Sequence, residues 1–271
     1  MDESAAPKAL RARELGVSRG SLYYHRKLPE RDWNLKCQIE EVLREHPSYG
    51  SPRIALHLKR NHKPIERVMK LFGIKAYRRR AKRYRNRKVF VRYPNLLLAT
   101  MPLYASHVWA TDFTELCWRE KKIYLSTVID LYTREILGIS VSIRKGMQLT
   151  LATLWNAVLH HPRPVIFHSD NGSEYNAKAF VAALDGIGSS ISRSKPGCPW
   201  ENGYQESFYD KFKIDLGDPG RFRSFGELIA EVYRTVWVYN HRRIHTSLKM
   251  PPALFALQAK ERHNITYKVG V

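Results

Sequence analysis

The fold is decided by residues 108–142, which read VWATDFTELCWREKKIYLSTVIDLYTREILGISVS. Three segments of this stretch, 108–114, 123–130 and 135–142, are rich in β-branched and aromatic residues. Such residues favour β-strands, because their side chains pack well on a pleated, half-buried surface. The pattern therefore predicts three consecutive strands.

Beyond these strands the sequence alternates between helix and strand signals. Residues 149–160 carry the apolar spacing of a helix, and 164–169 form a short apolar run typical of a buried strand. The following segments predict helix, strand and helix at 177–184, 189–192 and 200–213. This order of elements is typical of a ribonuclease-H-like α/β fold. The sequence thus predicts a mixed five-stranded sheet flanked by helices and preceded by small all-α segments of helix-turn-helix type.

The charge balance indicates a polyanionic partner. The chain of 271 residues has 46 Lys and Arg against 25 Asp and Glu, a formal net charge of +21. Most of the excess lies in residues 1–103, with 25 basic and 9 acidic residues. Residues 77–88 hold eight cations and no acid, which favours an arm that orders on phosphates over a solvated linker or a targeting tract. The arm residues predicted to contact DNA are Arg78, Arg79, Arg80, Lys82 and Arg83.

Two helical units are predicted ahead of the strands. A short helix ends at Gly16, and Ser18 is placed to cap a second, basic helix, as in a helix-turn-helix. Apolar stripes predict a second helical DNA-binding module in residues 31–76. The predicted organisation is a helix-turn-helix-like segment at 1–30, this module, a basic arm or linker at 77–103, a ribonuclease-H-like catalytic core at 104–257 and a tail at 258–271.

Several classes of protein are disfavoured. No apolar run approaches the 18 residues of a membrane span, and the amino terminus lacks the pattern of a signal peptide. The cysteines, Cys37, Cys117 and Cys198, are too far apart for a zinc knuckle and too few for a disulfide framework. These features predict a cytoplasmic protein without a membrane partner, and the family resemblance described below implies that it is bacterial and nucleoid-associated.

Three acids stand out in so basic a chain. Asp112 lies within the first strand, Asp170 ends the fourth, and Glu206 lies in the following helix, with 35 residues between the last two. Phosphodiester chemistry needs an activated oxygen nucleophile and a stabilised leaving oxygen, which two Mg²⁺ ions about 4 Å apart supply. Magnesium prefers carboxylate oxygen, and Mn²⁺ can substitute. Two carboxylates about 4 Å apart repel by about 4 kcal/mol at an effective dielectric of 20, so without metal the trio should be looser or partly protonated.

Each acid also has a structural interpretation. Asp170 before Asn171-Gly172 is a common turn former, and Glu206 alone could be a solvated helical residue. Asp112 is harder to explain in this way, because an acid inside an apolar strand needs a partner. Asp130, which also ends an apolar strand, is interpreted as a structural partner for Arg134.

The helix that carries Glu206 is predicted to have two faces. Tyr204, Phe208 and Phe212 recur every four residues and are expected to bury against the sheet. Asn202, Glu206 and Lys213 fall on a polar stripe suited to metal and phosphate. Asn202 and Lys213 are therefore candidate DNA contacts.

Together, these motifs resemble a known family. The chain is similar to the catalytic protein, of OrfB class, of insertion-sequence-three-type transposases, which have an integrase core with a DDE triad. The resemblance covers most of the chain and is carried by the motifs VSRGSLYY at 17–24, HPSYGSPRI at 46–54, WATDFT at 109–114, HSDNG at 168–172, ESF at 206–208 and YNHRRIHTSL at 239–248.

The resemblance implies roles for individual residues. Asp112, Asp170 and Glu206 match the metal-binding triad of the family, and Lys213 matches a lysine expected to touch DNA near the active site. The implied reaction is Mg²⁺-dependent cleavage at the ends of a mobile element, followed by attack of the freed 3′-hydroxyl on another phosphodiester. The implied partners are double-stranded DNA, further copies of the chain and the product of an upstream reading frame.

The C-terminal motif leaves two interpretations open. His241 and His245 are spaced i, i+4 and could ligate a metal if they lie on a helix. Alternatively, Arg242, Arg243 and His245 contact phosphate or pack the catalytic domain.

Two other functions compete with transposition. A DNA-binding regulator with an inactive core would keep the basic front end and tolerate loss of a triad acid. A ribonuclease-H-type nuclease would hydrolyse DNA without joining strands, but such a nuclease needs no module for recognising DNA ends.

Overall fold

The computed structural model describes residues 8–18, 28–77, 93–195 and 198–269. Its centre is a five-stranded sheet in the order β3-β2-β1-β4-β5. The strands are β1 Val108–Trp118, β2 Lys121–Asp130, β3 Ile136–Ser142, β4 Ile166–Ser169 and β5 Ser190–Arg193. Strands β1, β2 and β3 are antiparallel neighbours, whereas β4 is parallel to both β1 and β5. The predicted mixed sheet is confirmed, and β1 extends four residues beyond its predicted end.

Helices cover both faces of the sheet. They are α5 Met147–His160, α6 Lys178–Gly186, α7 Gly203–Leu216 and α8 Phe225–His241, followed by α9 Pro252–Val269. Alternation along β1 divides the core, because successive side chains point to opposite faces. Val108 and Ala110 pack with α7 and α8, whereas Trp109 packs with α5 and α6. α9 continues through residue 258, where the sequence predicted that a tail begins.

Gly138 on β3 allows α5 to lie unusually close to the sheet. A Cβ atom at this position would stand 2.4 Å from the Thr153 carbonyl oxygen and 2.9 Å from the Ala157 Cβ. Any larger residue would have to push α5 off the strand. The sheet is therefore buried on this face by direct backbone contact.

The front of the chain forms a separate helical cluster. Its helices are α1 Lys8–Glu14, α2 Leu28–Glu45, α3 Ser51–His57 and α4 His62–Leu71. Ile39, Ile54 and Ile65 are fully buried in a common core of α2, α3 and α4. Gly16 follows α1 with a φ of 63°, the left-handed conformation expected at a helix end. The predicted second helix after Ser18 and the basic arm fall largely in residues 19–27 and 78–92, outside the described residues.

Hydrogen bonds join this helical cluster to the sheet domain. The Ile244 amide donates to the Tyr49 hydroxyl at 2.8 Å, and Ser48 Oγ donates to Asp215 Oδ1 at 3.1 Å. Across the described part of the chain, no helix is long and apolar enough to cross a membrane.

Candidate active site

The pairing of β1 with β4 brings two of the three acids together. Ala110 pairs with His168 in a parallel register, and two residues further along are Asp112, on β1, and Asp170, directly after the end of β4. Neighbouring strands are about 4.8 Å apart, and residues two apart share a face. Asp112 and Asp170 therefore lie at equivalent positions with respect to two neighbouring strands of the sheet, β1 and β4.

Asp112 is half-buried, and its charged form is disfavoured. Its Oδ1 accepts a hydrogen bond from the Phe113 amide at 2.8 Å. Burial, followed by repulsion from the carboxylates of Asp170 and Glu206, raises its pKa to about 8, although the Lys145 ammonium opposes the shift. The three acids thus interact electrostatically, as a convergent acidic site requires.

Asp170 is held by the turn that follows β4. Its Oδ1 accepts a hydrogen bond from the Gly172 amide at 3.0 Å, which is the turn-forming role considered from the sequence. Burial raises the pKa of Asp170, while this hydrogen bond opposes the shift. A Cβ at Gly172 would stand 3.0 Å from both Asp170 Oδ1 and Glu174 Oε2, so the absence of a side chain leaves room for two carboxylates.

Glu206 is positioned by its neighbours on α7. Gln205 Nε2 donates to the Ala110 carbonyl at 2.7 Å, and the Tyr209 hydroxyl donates to the Asp112 carbonyl at 2.7 Å. Thr127 Oγ1 on β2 lies 2.9 Å from the Tyr209 hydroxyl oxygen. Because these buried contacts clamp α7 to β1 and β2, they hold Glu206 beside Asp112. Burial, and then the charge of Asp210, raises the pKa of Glu206.

A buried arginine forms a hydrogen bond with the loop that follows Asp170. Arg193 on β5 is fully buried, and its Nη2 donates to the Tyr175 carbonyl at 2.8 Å. Burial lowers the pKa of Arg193 to about 10, which leaves it charged at neutral pH. Its positive charge lowers the pKa of Asp170 and so partly offsets the effect of burial.

The donor set suits a hard divalent cation. Carboxylate oxygens are the ligands that Mg²⁺ prefers, and a cation between these acids would relieve the repulsion that raises the pKa of Asp112. Within residues 8–18, 28–77, 93–195 and 198–269, no three His, Cys, Asp or Glu side chains are close enough to hold a metal ion. The acids therefore share one site electrostatically without reaching metal-binding distances.

Comparisons with known proteins place this site in a family. Residues 104–199 and 187–252 each match a model of the integrase core domain. The transposase for insertion sequence element IS904 of Lactococcus lactis is 32% identical over 79% of this chain and 89% of its own length. The transposase InsF for insertion sequence IS3A of Escherichia coli is 31% identical over 75% of this chain and 74% of its own length.

The chain belongs to the insertion-sequence-three family of transposases. Its activity is DNA transposition by an integrase-type core. A chain in the cryo-EM structure of the simian T-cell lymphotropic virus intasome in complex with PP2A regulatory subunit B56 gamma matches 77% of the transposase and 70% of its own length. This match has 16% identity and a TM-score of 0.51, so it supports the fold.

Two residues of the site were missed by sequence reasoning. Lys145, in the loop before α5, forms an ion pair with Glu174 at 3.3 Å and lies over the Phe113 ring at 4.2 Å from its centroid. Its charge lowers the pKa of both Asp112 and Asp170. The only sequence signal was the closeness of Glu174 to Asp170, because nothing local links Lys145 to either acid. The transposase thus has a built-in cation beside its acids.

The predicted faces of α7 need correction. Tyr204 is 42% exposed and lies under the Arg134 guanidinium, 4.1 Å from its ring centroid, so it does not pack on the sheet. Gln205 and Tyr209 are buried instead, because α7 binds the sheet through polar contacts that an apolar periodicity does not register.

Asn202 is also buried, and its Nδ2 lies 3.4 Å from the Thr111 carbonyl, so the structure gives it a packing role. Lys213 is half-buried on the same flank of α7 as Glu206.

The C-terminal residues separate into two groups. Arg243 is 2% exposed and binds Asp215 and Ser48, so the prediction that it contacts DNA gives way to the packing interpretation. Arg242 is exposed, with its guanidinium 5.2 Å from the Trp237 ring centroid.

α8 ends at His241, so His241 and His245 do not share a helix and the metal interpretation loses its basis. Arg78, Arg79, Arg80, Lys82 and Arg83 lie outside the described residues.

Asp130 has a structural role with a different partner from the one expected. Its carboxylate accepts hydrogen bonds from the amides of Ser106, Tyr132 and Thr133 at 2.6, 2.7 and 3.0 Å. The Arg134 guanidinium lies over Tyr204 instead. The expectation that Arg134 is the main partner of Asp130 was therefore wrong. Backbone amides of the turn supply the hydrogen bonds that the buried carboxylate needs.

Proposed function

We propose that the transposase cleaves DNA at the ends of its insertion sequence and joins the freed ends to another strand by transesterification. The observation that supports the proposal is the grouping of Asp112, Asp170 and Glu206 beside the end of β4, where burial and then the charges of the other two acids raise the pKa of Asp112. Three acids that interact electrostatically in so basic a chain suit metal and phosphate better than a structural role. Asp112, Asp170 and Glu206 are proposed as the ligands of two Mg²⁺ ions, for which Mn²⁺ can substitute.

The metal ions, when bound, supply activation of the attacking oxygen and stabilisation of the leaving oxygen. The residues of the chain hold the geometry. Gln205 and Tyr209 keep Glu206 against β1, and Gly172 keeps Asp170 in its turn. The positive charge of Lys145 partly offsets the negative charge of the acids when no metal is bound. Lys213, two helical turns or about 10 Å along α7 from Glu206, is proposed to contact a DNA phosphate.

The substrate is proposed to be double-stranded DNA, both at the element ends and at the target. The helical module, the basic arm and Arg242 would supply the phosphate contacts. Binding through many phosphates releases counterions, so affinity should fall steeply with salt. The transposase is proposed to act as a homo-oligomer through a circular DNA intermediate, with a possible partner from an upstream reading frame.

A strand-joining assay tests this function. Purified transposase is incubated in Mg²⁺ with labelled duplex from the DNA flanking its gene. The parallel variants are Glu206→Gln and Asp185→Asn, since Asp185 is an exposed acid on α6. Products longer than the input with the wild type and Asp185→Asn, but not with Glu206→Gln, would support joining. Nicking alone would favour a nuclease, and binding without cleavage by any form would favour a regulator.

A further inference from the structure

A second polar site lies on the other flank of α7. A half-open cavity of about 210 Å³ is lined by Ser207 and Lys211 of α7, together with Arg53 of α3, Arg134 of the β2–β3 turn, and Arg243 and His245 beyond α8. Successive residues of a helix are rotated by about 100°, which places Lys211 about 140° from Glu206 around α7. The cavity is therefore separate from the acidic site and joins three parts of the chain.

The cavity is strongly cationic. Arg53, Arg134, Lys211 and Arg243 all line it, and the lining residues that the structure describes include no Asp or Glu. The charge of Arg243 is balanced by Asp215, because Arg243 Nε donates a hydrogen bond to Asp215 Oδ2 at 3.0 Å. The charges of Arg53 and Arg134 have no ion-pair partner among the described residues. A cavity with this imbalance attracts an anion.

Several buried polar atoms of the side chains that line the cavity are unpaired. Arg53 Nε, Arg134 Nε and Nη1, and His245 Nδ1 are buried and lack a hydrogen-bond partner in the described part of the chain. Buried donors of this kind are costly and call for a partner. Burial, and then the charge of Arg243, lowers the pKa of Arg53 to about 10. An anion in the cavity would offset the repulsion between the arginines.

Arg134 is held in a strained and specific position. Its φ of 64° lies in the left-handed region, where residues other than glycine are uncommon. Its guanidinium lies 4.1 Å from the Tyr204 ring centroid, which fixes the plane of the group. A planar guanidinium fork held in this way suits bidentate binding of phosphate oxygens.

We infer that this cavity binds a phosphate group through Arg53, Arg134 and Lys211, and that the group belongs to the DNA backbone. Its volume accommodates a phosphate, and Ser207 adds a hydroxyl to the donors. A phosphate bound here would tie α3 of the helical module to α7 of the catalytic core. The choice of DNA as the source rests on the proposed function, whereas phosphate binding itself does not.

The first experiment uses the full chain without DNA. The midpoint of thermal unfolding, Tm, is measured with inorganic phosphate against sodium chloride of equal ionic strength. The variants are Arg53→Gln, Arg134→Gln and, as a charge-matched control, Arg163→Gln, which is exposed before β4. At ten times the dissociation constant, phosphate should raise the Tm of the wild type and the control by about 3 to 6 °C. It should not raise the Tm of the two cavity variants.

The same measurement separates ligand binding from a purely structural role. Without phosphate, Arg53→Gln and Arg134→Gln should unfold at or above the wild-type Tm, because each removes an uncompensated charge. A lower Tm in plain buffer, together with a phosphate response equal to that of the wild type, would overturn the site. An absence of any phosphate effect on the wild type would do the same.

The second experiment identifies the source of the phosphate. Duplex binding is measured from 50 to 200 mM salt. Log affinity falls with log salt, and the magnitude of this slope should be smaller by about one in Arg134→Gln than in Arg163→Gln. An unchanged slope, with the Tm effect intact, would overturn DNA as the source in favour of a free phosphate ligand. Failure of strand joining would leave the DNA-free experiment unaffected, so the two proposals can fail separately.

Discussion

Arg243 and Asp215 form a buried ion pair within the catalytic core, and hydrogen bonds between this pair and Ser48 reach the helical module. Arg243 Nε donates to Asp215 Oδ2 at 3.0 Å, and its Nη2 donates to Ser48 Oγ at 2.7 Å. Arg243 is 2% exposed, although it stands next to the exposed Arg242. One contact network therefore spans α7, the segment after α8 and the turn before α3.

Loss of this ion pair should destabilise the protein. Arg243→Leu would leave Asp215 without its partner, which should lower the free energy of unfolding by about 3 to 5 kcal/mol. Urea denaturation measures the change. The neighbouring Arg242→Gln should stay within about 0.5 kcal/mol of the wild type because its side chain is exposed. Equal effects of the two substitutions would contradict the assigned role.

Gly172→Ala should impair the site more than the fold. The new methyl would stand 3.0 Å from carboxylate oxygens of Asp170 and Glu174 and push them apart. We expect a loss of roughly 1 kcal/mol in stability but a fall of about tenfold or more in strand joining. Gly186→Ala is the matched control, since nothing lies within 4 Å of its added Cβ. A fully active Gly172→Ala protein would show that the close approach is unimportant.

Divalent metal should stabilise the protein through the acids. Mg²⁺ bound near Asp112 would relieve repulsion that the folded state otherwise bears, so the wild-type Tm should rise with Mg²⁺ and fall back on adding a chelator. Asp112→Asn should abolish the rise, whereas Asp185→Asn, at an exposed position on α6, should keep it. A full Mg²⁺ response in Asp112→Asn would remove that residue from the proposed ligands.

His168 should make the protein sensitive to acid. It is fully buried, with Nδ1 2.8 Å from Ser192 Oγ, and burial followed by the charge of Arg193 lowers its pKa to about 4 from an ordinary 6.5. Its contribution to stability is therefore complete above about pH 6.5 and is lost as the pH falls through 4. The full loss is roughly 3 kcal/mol.

Comparison with a variant isolates this effect. The difference in free energy of unfolding between the wild type and His168→Gln should shrink steadily from pH 6.5 to pH 4. Thr153→Ala, which removes a buried hydroxyl that does not titrate in this range, should show a difference that does not vary with pH. A constant difference for His168→Gln would mean that the histidine does not titrate in this window.

Much of the fold could be predicted because its signals are local. The strands of residues 108–142 and the helices around them follow from β-branched content and apolar spacing, which act over a few neighbouring residues. Asp112 and Asp170 could be selected for the same reason, since one interrupts and the other ends an apolar strand, and Glu206 was selected on the polar stripe of its helix. Errors arose where a face was chosen: Tyr204 shares the spacing of Phe208 but lies outside the packed face of α7.

The sequence by itself therefore determined the order of the elements, the basic character of the chain and the identity of its candidate acids. Only the tertiary structure decided which acids meet, because the register of Ala110 with His168 joins strands that are distant in sequence. It also decided that Lys145 lies beside the acids, that Arg243 is buried and that Arg53 meets Arg134 in one cavity. These contacts depend on how distant segments pack, and packing is a property of the whole chain that no local pattern records.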